Sequence, residues 1–549
     1  MADRIQSFKV VCGGGLYASE NHLQLAESIP GSATRLLNYE PSLFGGYRRI
    51  NGYEYYDDLA QEVAPDTAEG PVLGLAIFED DFDNETVIIA ARKDQGSDTY
   101  SFYQHVPLSG WQKLDLPTGV VRNMTSTEFN SEVIRVRHET FHFGVRNEIC
   151  FVDGVNPAII YDGNSWYVID PEGTGTTSDP GGDQAVIAPS VVAVFKNHLF
   201  LAACACSPAV IAHSAPNDAL DFTAASGGGQ VSSGADVLQI KPFRDNLFVF
   251  GVNTIKKIIS DLSAGFLLEN VTTNVGCIAA DSVLEIGGDL LFLAPDGLRP
   301  VAGTSRIGDV ELETVSRSIQ PIMSRLSDTY DLTYLTGVVI RNKSQIRYFL
   351  AQPTDLPQDA YGLIGGIRAT SEGITWEFGE LLGIRASCCT SGFVGTEEYV
   401  LHGDYDGKVY RQEQGNSFNG QDVLSVFQTP YYDFGDTEIR KLIRKVNTFI
   451  RAEGPFEMNL SVTYDWDDPF VARPSNYTQA SAGAPVRYAG VNIDYGGENI
   501  VYGGSEKPVL GTSVQGSGFS TQLTYVTVGQ EAPFTIQGIV FEFSPIGRR

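Results

Sequence analysis

The residues best suited to bind a metal ion are those of the acidic turn "EDDFDNE" (79–85), in which five of seven side chains are carboxylates. Oxygen clusters of this kind suit Ca²⁺, but the register and the glycine of an EF-hand loop are missing. The stretch "DYDGK" (404–408) starts like such a loop as well, yet it has the pattern of a hairpin turn. We therefore predict solvated turns, with a calcium site as the alternative for the first.

Histidine and cysteine side chains are the next candidate ligands. His138 and His142 lie in "RVRHETFHFGV", whose alternation predicts a strand with both rings on one face. An ordinary half-buried strand is favoured over a metal pair. The seven cysteines include two close pairs, 204/206 and 388/389, without the C-x-x-C spacing of zinc sites. The sequence thus predicts buried thiols, no disulfide framework, no metal and no other cofactor.

Catalytic motifs are incomplete. The glycines of "VVCGGGLY" (10–17) lack the Lys and Ser/Thr of a phosphate-binding loop, and no G-x-S-x-G is present. The stretch "ATSEGITWEF" (369–378) ends like the Asp-box of sialidases and related glycosidases, but Ala369 and Ser371 stand where that box has Ser and Asp. A glycosidase also needs a carboxylate pair at a defined separation, which the sequence does not locate. We predict that the protein is not an enzyme.

Composition points to a β protein of strongly acidic charge. The chain has 58 Gly, 25 Tyr and 30 Phe but only 4 Met, a balance that favours strands and turns over helices. Its net charge of −29 repels nucleic acid and argues against tight binding of phosphates. No stretch is apolar enough to span a bilayer, and the first residues lack the pattern of a signal peptide. We expect synthesis in the cytoplasm.

A repeat of paired strands runs through the chain. Aromatic or apolar residues at the centre of similar strand–turn–strand patterns recur every 44 to 57 residues, at Phe151, Phe200, Phe248, Phe292, Phe349 and Leu401. Such a period suits four-stranded β-propeller blades. Asp-Gly dipeptides at 153–154, 162–163, 296–297 and 406–407 are hairpin signals. We predict a β-propeller of about six or seven blades over residues 71–415, with a set of β-sandwiches as the alternative.

The rest of the chain divides around this propeller. The Gly-, Pro- and Asp-rich stretch 170–190 predicts a loop inserted between blades. Alternating runs at 445–451 and 456–464, joined by "AEGP", predict a C-terminal antiparallel β-sandwich-like domain over 416–549. Residues 1–70 are predicted to form an N-terminal docking segment.

The order of several segments resembles one known family. "APSVVAVFKNHLFLA" (188–202), "AHSAPNDALDF" (212–222), "LQIKPFRDNLFVFGVNTIKKI" (238–258), "GCIAADSVLEIGGDLLFLAPDGLRPV" (276–301) and "SRSIQPIM" (316–323) are similar to the tail nozzle, or tail tubular protein B, of short-tailed bacteriophages. The later "HGDYDGKVYRQEQGNSFNGQDVLSVFQTPYYDFGD" (402–436) and "RKVNTFIRAEG" (444–454) resemble its continuation. The likeness covers about half of the chain and carries no catalytic residue.

This resemblance implies a structural virion protein of the phage tail. Family members form a homohexameric ring at the distal end of the tail, below an adaptor or portal ring, and tail fibres or a needle can attach beside it. The ring retains packaged DNA and serves as the conduit for its ejection, without tight DNA binding. An acidic lumen suits such a conduit, because DNA carries about one negative charge per 1.7 Å of its axis. The alternative is a carbohydrate-binding or glycan-hydrolysing propeller module of the tail.

The segment "LLNYEPSLFGGYRRINGYEYYDD" (36–58) is the predicted subunit-docking region. It is irregular and rich in aromatic side chains and arginine, which interfaces enrich because they bury much area with few rotatable bonds. The alternative is that it packs on its own propeller. The predicted docking contacts are Tyr39, Phe44, Tyr47, Arg48, Arg49 and Tyr53.

Overall fold

The computed structural model describes residues 5–58, 70–81, 85–128, 130–144, 146–169, 187–261, 265–301, 314–370, 373–469, 471, 473–481 and 507–548. These residues form a mainly β structure, as the composition predicts. The N-terminal segment contributes β1 (Gln6–Val11), β2 (Arg35–Leu37), β3 (Tyr39–Pro41), β4 (Tyr47–Arg49) and β5 (Tyr53–Tyr55).

The next strands form hairpins in chain order. They are β6 (Val72–Asp80), β7 (Glu85–Lys93), β8 (Tyr100–Val106), β9 (Gly110–Lys113), β10 (Thr125–Ser126), β11 (Ser131–Glu132), β12 (Arg137–His142), β13 (Asn147–Val152), β14 (Ile159–Tyr161), β15 (Trp166–Val168), β16 (Val191–Phe195), β17 (His198–Cys204), β18 (Ser207–His213), β19 (Gly229–Ser232), β20 (Gln239–Phe243), β21 (Asn246–Phe250), β22 (Ile255–Asp261) and β23 (Gly265–Thr272).

The remaining strands are β24 (Leu284–Ile286), β25 (Asp289–Ala294), β26 (Gly297–Pro300), β27 (Thr336–Ile340), β28 (Gln345–Phe349), β29 (Tyr361–Thr370), β30 (Gly373–Leu382), β31 (Cys388–Val394), β32 (Glu397–Gly403), β33 (Val409–Gln412), β34 (Val423–Gln428), β35 (Ile439–Ala452), β36 (Phe456–Tyr464), β37 (Tyr477–Ser481), β38 (Val509–Ser513), β39 (Ser517–Gly518), β40 (Thr521–Gly529) and β41 (Phe534–Arg548).

Helices are short. The α-helices are α1 (His22–Ser28), α2 (Gln320–Met323) and α3 (Leu326–Thr329), and single 3₁₀ turns span Ala280–Ser282, Arg317–Ile319, Leu332–Tyr334, Arg341–Lys343, Pro357–Asp359 and Asp465–Asp467. Within the described ranges, no helix is both long and apolar enough to cross a membrane.

Seven groups of strands surround a central cavity of about 290 Å³, which the first strand of every group lines. Six form separate sheets: β6–β9 (blade 1), β12–β15 (blade 2), β16–β19 (blade 3), β20–β23 (blade 4), β24–β26 (blade 5) and β31–β33 with β5 (blade 7). The other, β27–β30 (blade 6), begins a nine-stranded sheet. The predicted propeller of six or seven blades is confirmed.

The predicted period is correct because each repeated apolar residue has the same place in its blade. Phe151, Phe200, Phe248, Phe292, Phe349 and Leu401 all lie on the second strand of a blade and are at most 6% exposed. Their side chains belong to clusters that form between neighbouring sheets, as between Ile160 of blade 2 and Leu199 of blade 3. One blade alone would leave these faces in water, so the ring buries what the single sheet cannot.

The four predicted Asp-Gly turns all join adjacent strands of a blade. In the turn at 162–163, the Asp162 carboxylate accepts the backbone N–H groups of Asn164 and Ser165 at 2.9 and 2.7 Å. Gly163 has φ 93°, where a side chain would be strained. Of the predicted loop 170–190, residues 170–186 lie outside the described residues.

The N-terminal segment supplies the last strand of the propeller. β5 pairs antiparallel with β33, with Tyr53 opposite Gln412 and Tyr55 opposite Tyr410. Blade 7 therefore combines strands from the two ends of the propeller sequence, so that its outer edge is completed by residues that precede blade 1. Within residues 5–58, the predicted separate docking segment is corrected to an integral part of the fold.

The same segment joins the propeller to the C-terminal strands. β2 lies between β30, with which it is parallel, and β34, with which it is antiparallel. One sheet consequently runs from blade 6 through β2 into β34, β40, β36 and β37. Asn38 reinforces this junction, because its amide group donates to the carbonyl oxygens of Leu382 and Leu424 at 2.9 and 2.8 Å.

A second sheet covers the C-terminal half of the first. It contains seven strands in the order β3-β4-β41-β35-β38, with β1 on β41 and β39 on β35. Ile443 and Val446 of this sheet pack in one core with Leu460 and Tyr525 of the other. The strands on either side of "AEGP" lie in different sheets, so this link crosses between the two layers.

One cysteine prediction is wrong. Cys204 and Cys206 form a disulfide at the tight β17–β18 connection, where the left-handed conformation of Ala203 (φ 56°) helps to bring the two Cα atoms to 5.2 Å. The other five cysteines are free thiols, and four of them are buried.

Candidate functional site

The six predicted docking residues lie where the N-terminal segment crosses the C-terminal sandwich and blade 7. Tyr39 and Tyr47 are fully buried in the sandwich core. The Tyr39 ring packs against Phe427 and Phe534, and the Tyr47 hydroxyl donates to the Gly31 carbonyl at 2.8 Å. Burial raises the pKa of both phenols. Neither side chain is available to another subunit, which corrects the prediction for both.

Arg49 is also buried, and it acts inside the chain. Its guanidinium donates to the carbonyl oxygens of Glu531, Gly529 and Val423, the latter two at 2.7 and 3.3 Å. Burial lowers the pKa of Arg49. The side chain thus ties β4 to β34 and to the β40–β41 connection, so its predicted docking role is corrected to an internal one.

Tyr53 closes blade 7 rather than contacting a partner. It is 8% exposed, and its ring stacks on Phe418 at 5.1 Å and meets His402 and Tyr410 edge-on at 4.9 and 5.0 Å. Burial raises the pKa of Tyr53, and burial together with Arg347 lowers the pKa of His402 to about 3. The cluster is therefore uncharged at neutral pH, and the docking prediction for Tyr53 is corrected.

Arg48 lies in a network of internal ion pairs. It contacts Glu40 at 2.7 Å and pairs with both oxygens of Glu453 at 2.6 and 2.7 Å. Glu40 also contacts Lys343 at 2.7 Å and Arg347 at 3.1 Å. Burial alone would raise the pKa of Glu40, but the three cations around it lower that pKa instead. Arg48 therefore ties the β3–β4 hairpin to the β35–β36 link, and Glu40 ties the same hairpin to blade 6.

Phe44 alone of the six has a largely exposed side chain, at 69%. It occupies the tip of the β3–β4 hairpin, next to Leu43, which is 68% exposed. The guanidinium of Arg451 lies 3.9 Å from the centre of the Phe44 ring. The prediction that this residue docks to a neighbouring subunit stays a prediction.

The hairpin tip lies beside an apolar row on the outer face of the C-terminal sheet. Val11 pairs with Gly538, Gly538 with Phe449, and Phe449 with Val509 across four adjacent strands. Val11, Phe449 and Val509 are 61%, 40% and 52% exposed. Gly538, in the middle of the row, has no side chain to project from the sheet. A Cβ there would lie 3.0 Å from the Val10 carbonyl oxygen. We call Val11, Phe44, Phe449 and Val509, with their flanking cations, the outer-face patch.

The cations of the outer-face patch come from two strands. Strand β35 reads "IRKLIRKVNTFIRA" and contains five basic residues and no acidic one. Of these, Lys445 and Arg451 lie on the same face as Phe449, and Lys9 of β1 is in the neighbouring row. Glu542 of β41 lies opposite Lys445 on this face, so the three cations stand against one carboxylate there. A chain of net charge −29 thus exposes a local face that is apolar and mainly basic.

Sequence reasoning missed Phe449, Val509 and Val11. The alternation of basic and apolar residues in β35 shows which side chains share a face. It does not show which face the second sheet covers, because that depends on pairing with β1 and β38.

The other candidate residues of the sequence lie in strands and turns where the structure describes them. His138 and His142 lie on β12, as predicted. Asp81 of the acidic turn accepts the Asn147 backbone N–H at 2.6 Å, while residues 82–84 lie outside the described residues. The Asp-box-like stretch is the β29–β30 hairpin, of which residues 371 and 372 lie outside the described residues. Among the described residues, no group of three or more His, Cys, Asp or Glu could hold a metal ion.

Comparisons with known proteins give distant structural neighbours. A chain from the crystal structure of BBS1N in complex with ARL6DN has a TM-score of 0.35 and 10% identity, over 66% of this chain and 96% of that one. An ancestral GH74 enzyme has a TM-score of 0.36 and 11% identity, over 69% of this chain and 50% of that one. The extracellular domain of a hybrid two component system from B. thetaiotaomicron has a TM-score of 0.36 and 10% identity, over 67% of this chain and 40% of that one.

The chain thus spans half or less of the length of the last two structures. No protein-family model matches the chain, and no curated protein matches it.

Proposed function

We propose that this protein is a structural subunit of a short phage tail, a nozzle protein that assembles as a homo-oligomeric ring. The outer-face patch carries this proposal. A contiguous face that exposes Phe44, Phe449, Val11 and Val509 is unusual for a surface that stays in water. The resemblance of residues 188–323 and 402–454 to the tail nozzle family supports the same role.

The proposed occupant of the outer-face patch is a second copy of the chain. The patch carries Lys9, Lys445 and Arg451, whereas the chain as a whole has 67 acidic and 38 basic residues. The remaining surface of an identical subunit is therefore a complementary partner, and unlike charges steer such an encounter. A contact between two different faces of one chain is heterologous, and repetition of it closes a ring if the rotation fits.

The internal connections suit a subunit that bears load within such a ring. β2, β3 and β4 connect blade 6 to both C-terminal sheets, so force on the patch passes into the propeller through backbone pairing. In the proposed ring, the acidic balance of the chain keeps passing DNA from adhering to the channel wall. We further propose that the role is structural rather than catalytic.

The outer-face patch can be tested by a double substitution, Phe44→Asp with Phe449→Asp. An aromatic side chain at an interface hot spot costs at least about 2 kcal/mol when it is truncated, or roughly 30-fold in affinity. We expect the wild type to form closed rings at micromolar concentration, seen by native mass spectrometry and negative-stain microscopy, and the variant to be mainly monomeric.

The matched control is Leu108→Asp with Leu356→Asp. Leu108 and Leu356 are 97% and 57% exposed and lie on the propeller, away from the patch. The two control substitutions add the same charge as the two patch substitutions. Rings in the control and none in the patch variant support the proposal. A wild type that stays monomeric would refute the ring. If both variants form rings, the proposal of a ring is retained, but the outer-face patch is not its interface.

A further inference from the structure

The central cavity of the propeller has a cationic lining that the ring proposal does not use. Its charged lining residues are Arg135, Arg137 and Lys241 against Glu139 and Asp281. His138 also lines it, and burial together with Lys241 lowers the pKa of this histidine to about 4. The lining thus has one cation more than it has carboxylates at neutral pH, in a chain that is acidic overall.

Two of the cations are held firmly in place. Arg137 pairs with both oxygens of Asp281 at 2.8 Å, and Arg135 contacts Asp281 at 2.5 Å. Arg135 also donates to the carbonyl oxygens of Leu335 and Ser387 at 2.7 and 2.9 Å. The Asp281 carboxylate is therefore shared between two guanidinium groups, and the arginines bridge several blades at the axis.

Donor capacity remains after these contacts. The side chain of Arg137 is 22% exposed, and each of its two terminal nitrogens uses one of its two N–H groups, toward the Ser190 carbonyl oxygen at 3.0 Å and toward Asp281 at 2.8 Å. Lys241 faces Glu139 at 3.7 Å, which is beyond hydrogen-bond distance. A charged donor with N–H groups left over makes further charge-assisted hydrogen bonds when a small acceptor enters.

We propose that the central cavity binds a small oxyanion, a phosphate or a carboxylate, between Lys241 and Arg137. The cavity volume of about 290 Å³ is at the lower limit of about 300 Å³ for small-molecule pockets, which restricts the ligand to a small one. Oxyanions accept charge-assisted hydrogen bonds from guanidinium and ammonium groups, and these bonds are the stronger class. Such a ligand would neutralise the extra cation and link the first strands of blades 2 and 4.

The test is isothermal titration calorimetry of the full chain at low ionic strength, with inorganic phosphate in one arm and acetate in the other. We expect saturable binding at one site per chain for at least one probe. The probe that binds more tightly shows whether the site prefers a phosphate or a carboxylate. The substitution Lys241→Gln should weaken that binding at least tenfold, and Lys241→Arg should restore most of it.

The matched control is Lys196→Gln, which removes the same charge from a side chain that is 46% exposed on the β16–β17 turn. It should leave the affinity unchanged. The absence of saturable heat in both arms would overturn the proposal, and so would equal weakening by Lys241→Gln and Lys196→Gln. Because ring formation is measured separately, either proposal can fail without the other.

Discussion

Removal of the Tyr53 side chain should loosen blade 7 before any other blade. Tyr53 stacks on Phe418 and meets His402 and Tyr410 edge-on, and its strand β5 completes the blade. Replacing a buried aromatic residue by alanine typically costs about 3–5 kcal/mol, because packing is lost and a cavity is left. In Tyr53→Ala the lost free energy should weaken the pairing of β5 with β33.

Hydrogen exchange with mass spectrometry measures this local cost directly. If the local opening free energy falls by about 3–5 kcal/mol, amides that exchange through that opening should do so roughly a hundredfold to several-thousandfold faster. We expect this acceleration in peptides from 388–412, which form blade 7. Peptides from 191–232, which form blade 3, are the internal reference and should change little.

The control for the aromatic contact is Tyr53→Phe. It keeps the ring and removes only the hydroxyl, which donates to the Gly383 carbonyl at 3.3 Å. One hydrogen bond contributes about 0.5–1.5 kcal/mol, so the acceleration should stay near or below tenfold. Equal acceleration of blades 7 and 3 in Tyr53→Ala, or none in either, would refute the claim that β5 closes the ring.

Two further substitutions test buried charges. Arg122→Met should lower the denaturant midpoint by the equivalent of about 3–5 kcal/mol, because the fully buried Asp153, 2.6 Å from Arg122, loses its cation. Adding Asp153→Asn should recover part of the lost stability. A loss below about 1 kcal/mol in Arg122→Met would contradict the prediction. Burial raises the pKa of Asp404 to about 6, above the usual range of an aspartate, so the folded state binds this proton more tightly than the unfolded state does. The resulting stability is present below about pH 4 and is lost as the pH rises through about 6. Asp404→Asn should therefore raise the midpoint at pH 7 but not at pH 4, and a gain of equal size at both pH values would contradict the assigned cause.

The propeller could be predicted because its signal is local and repeated. Phe151, Phe200 and their counterparts lie on second strands that face two neighbouring blades, so every blade needs an apolar residue at the same place. The Asp-Gly turns are local as well. The three-residue strands β2 and β5 have no such signal, since they are too short for a period and pair with strands hundreds of residues away.

The candidate site could be predicted only in part for the same reason. The aromatic content of residues 36–58 indicates burial of large area, but burial in a partner and burial in the chain itself give the same composition. Tyr39, Tyr47 and Tyr53 serve the chain's own core, and Phe44 stays at the surface. The cavity cations were missed because Arg135 and Asp281 are far apart in sequence and meet only at the propeller axis.

The place of the N-terminal strands also sets the order in which the protein can be completed. On the ribosome, β1 and β5 emerge first, yet their partners β41 and β33 are translated several hundred residues later. Until then the nascent chain carries strand edges and aromatic side chains without their final neighbours, a state that favours aggregation. Blade 7 therefore cannot close until β33 has been translated, and the pairing of β1 waits longer still, for β41. Both closures come late in synthesis, and chaperones are suited to protect the exposed edges until then.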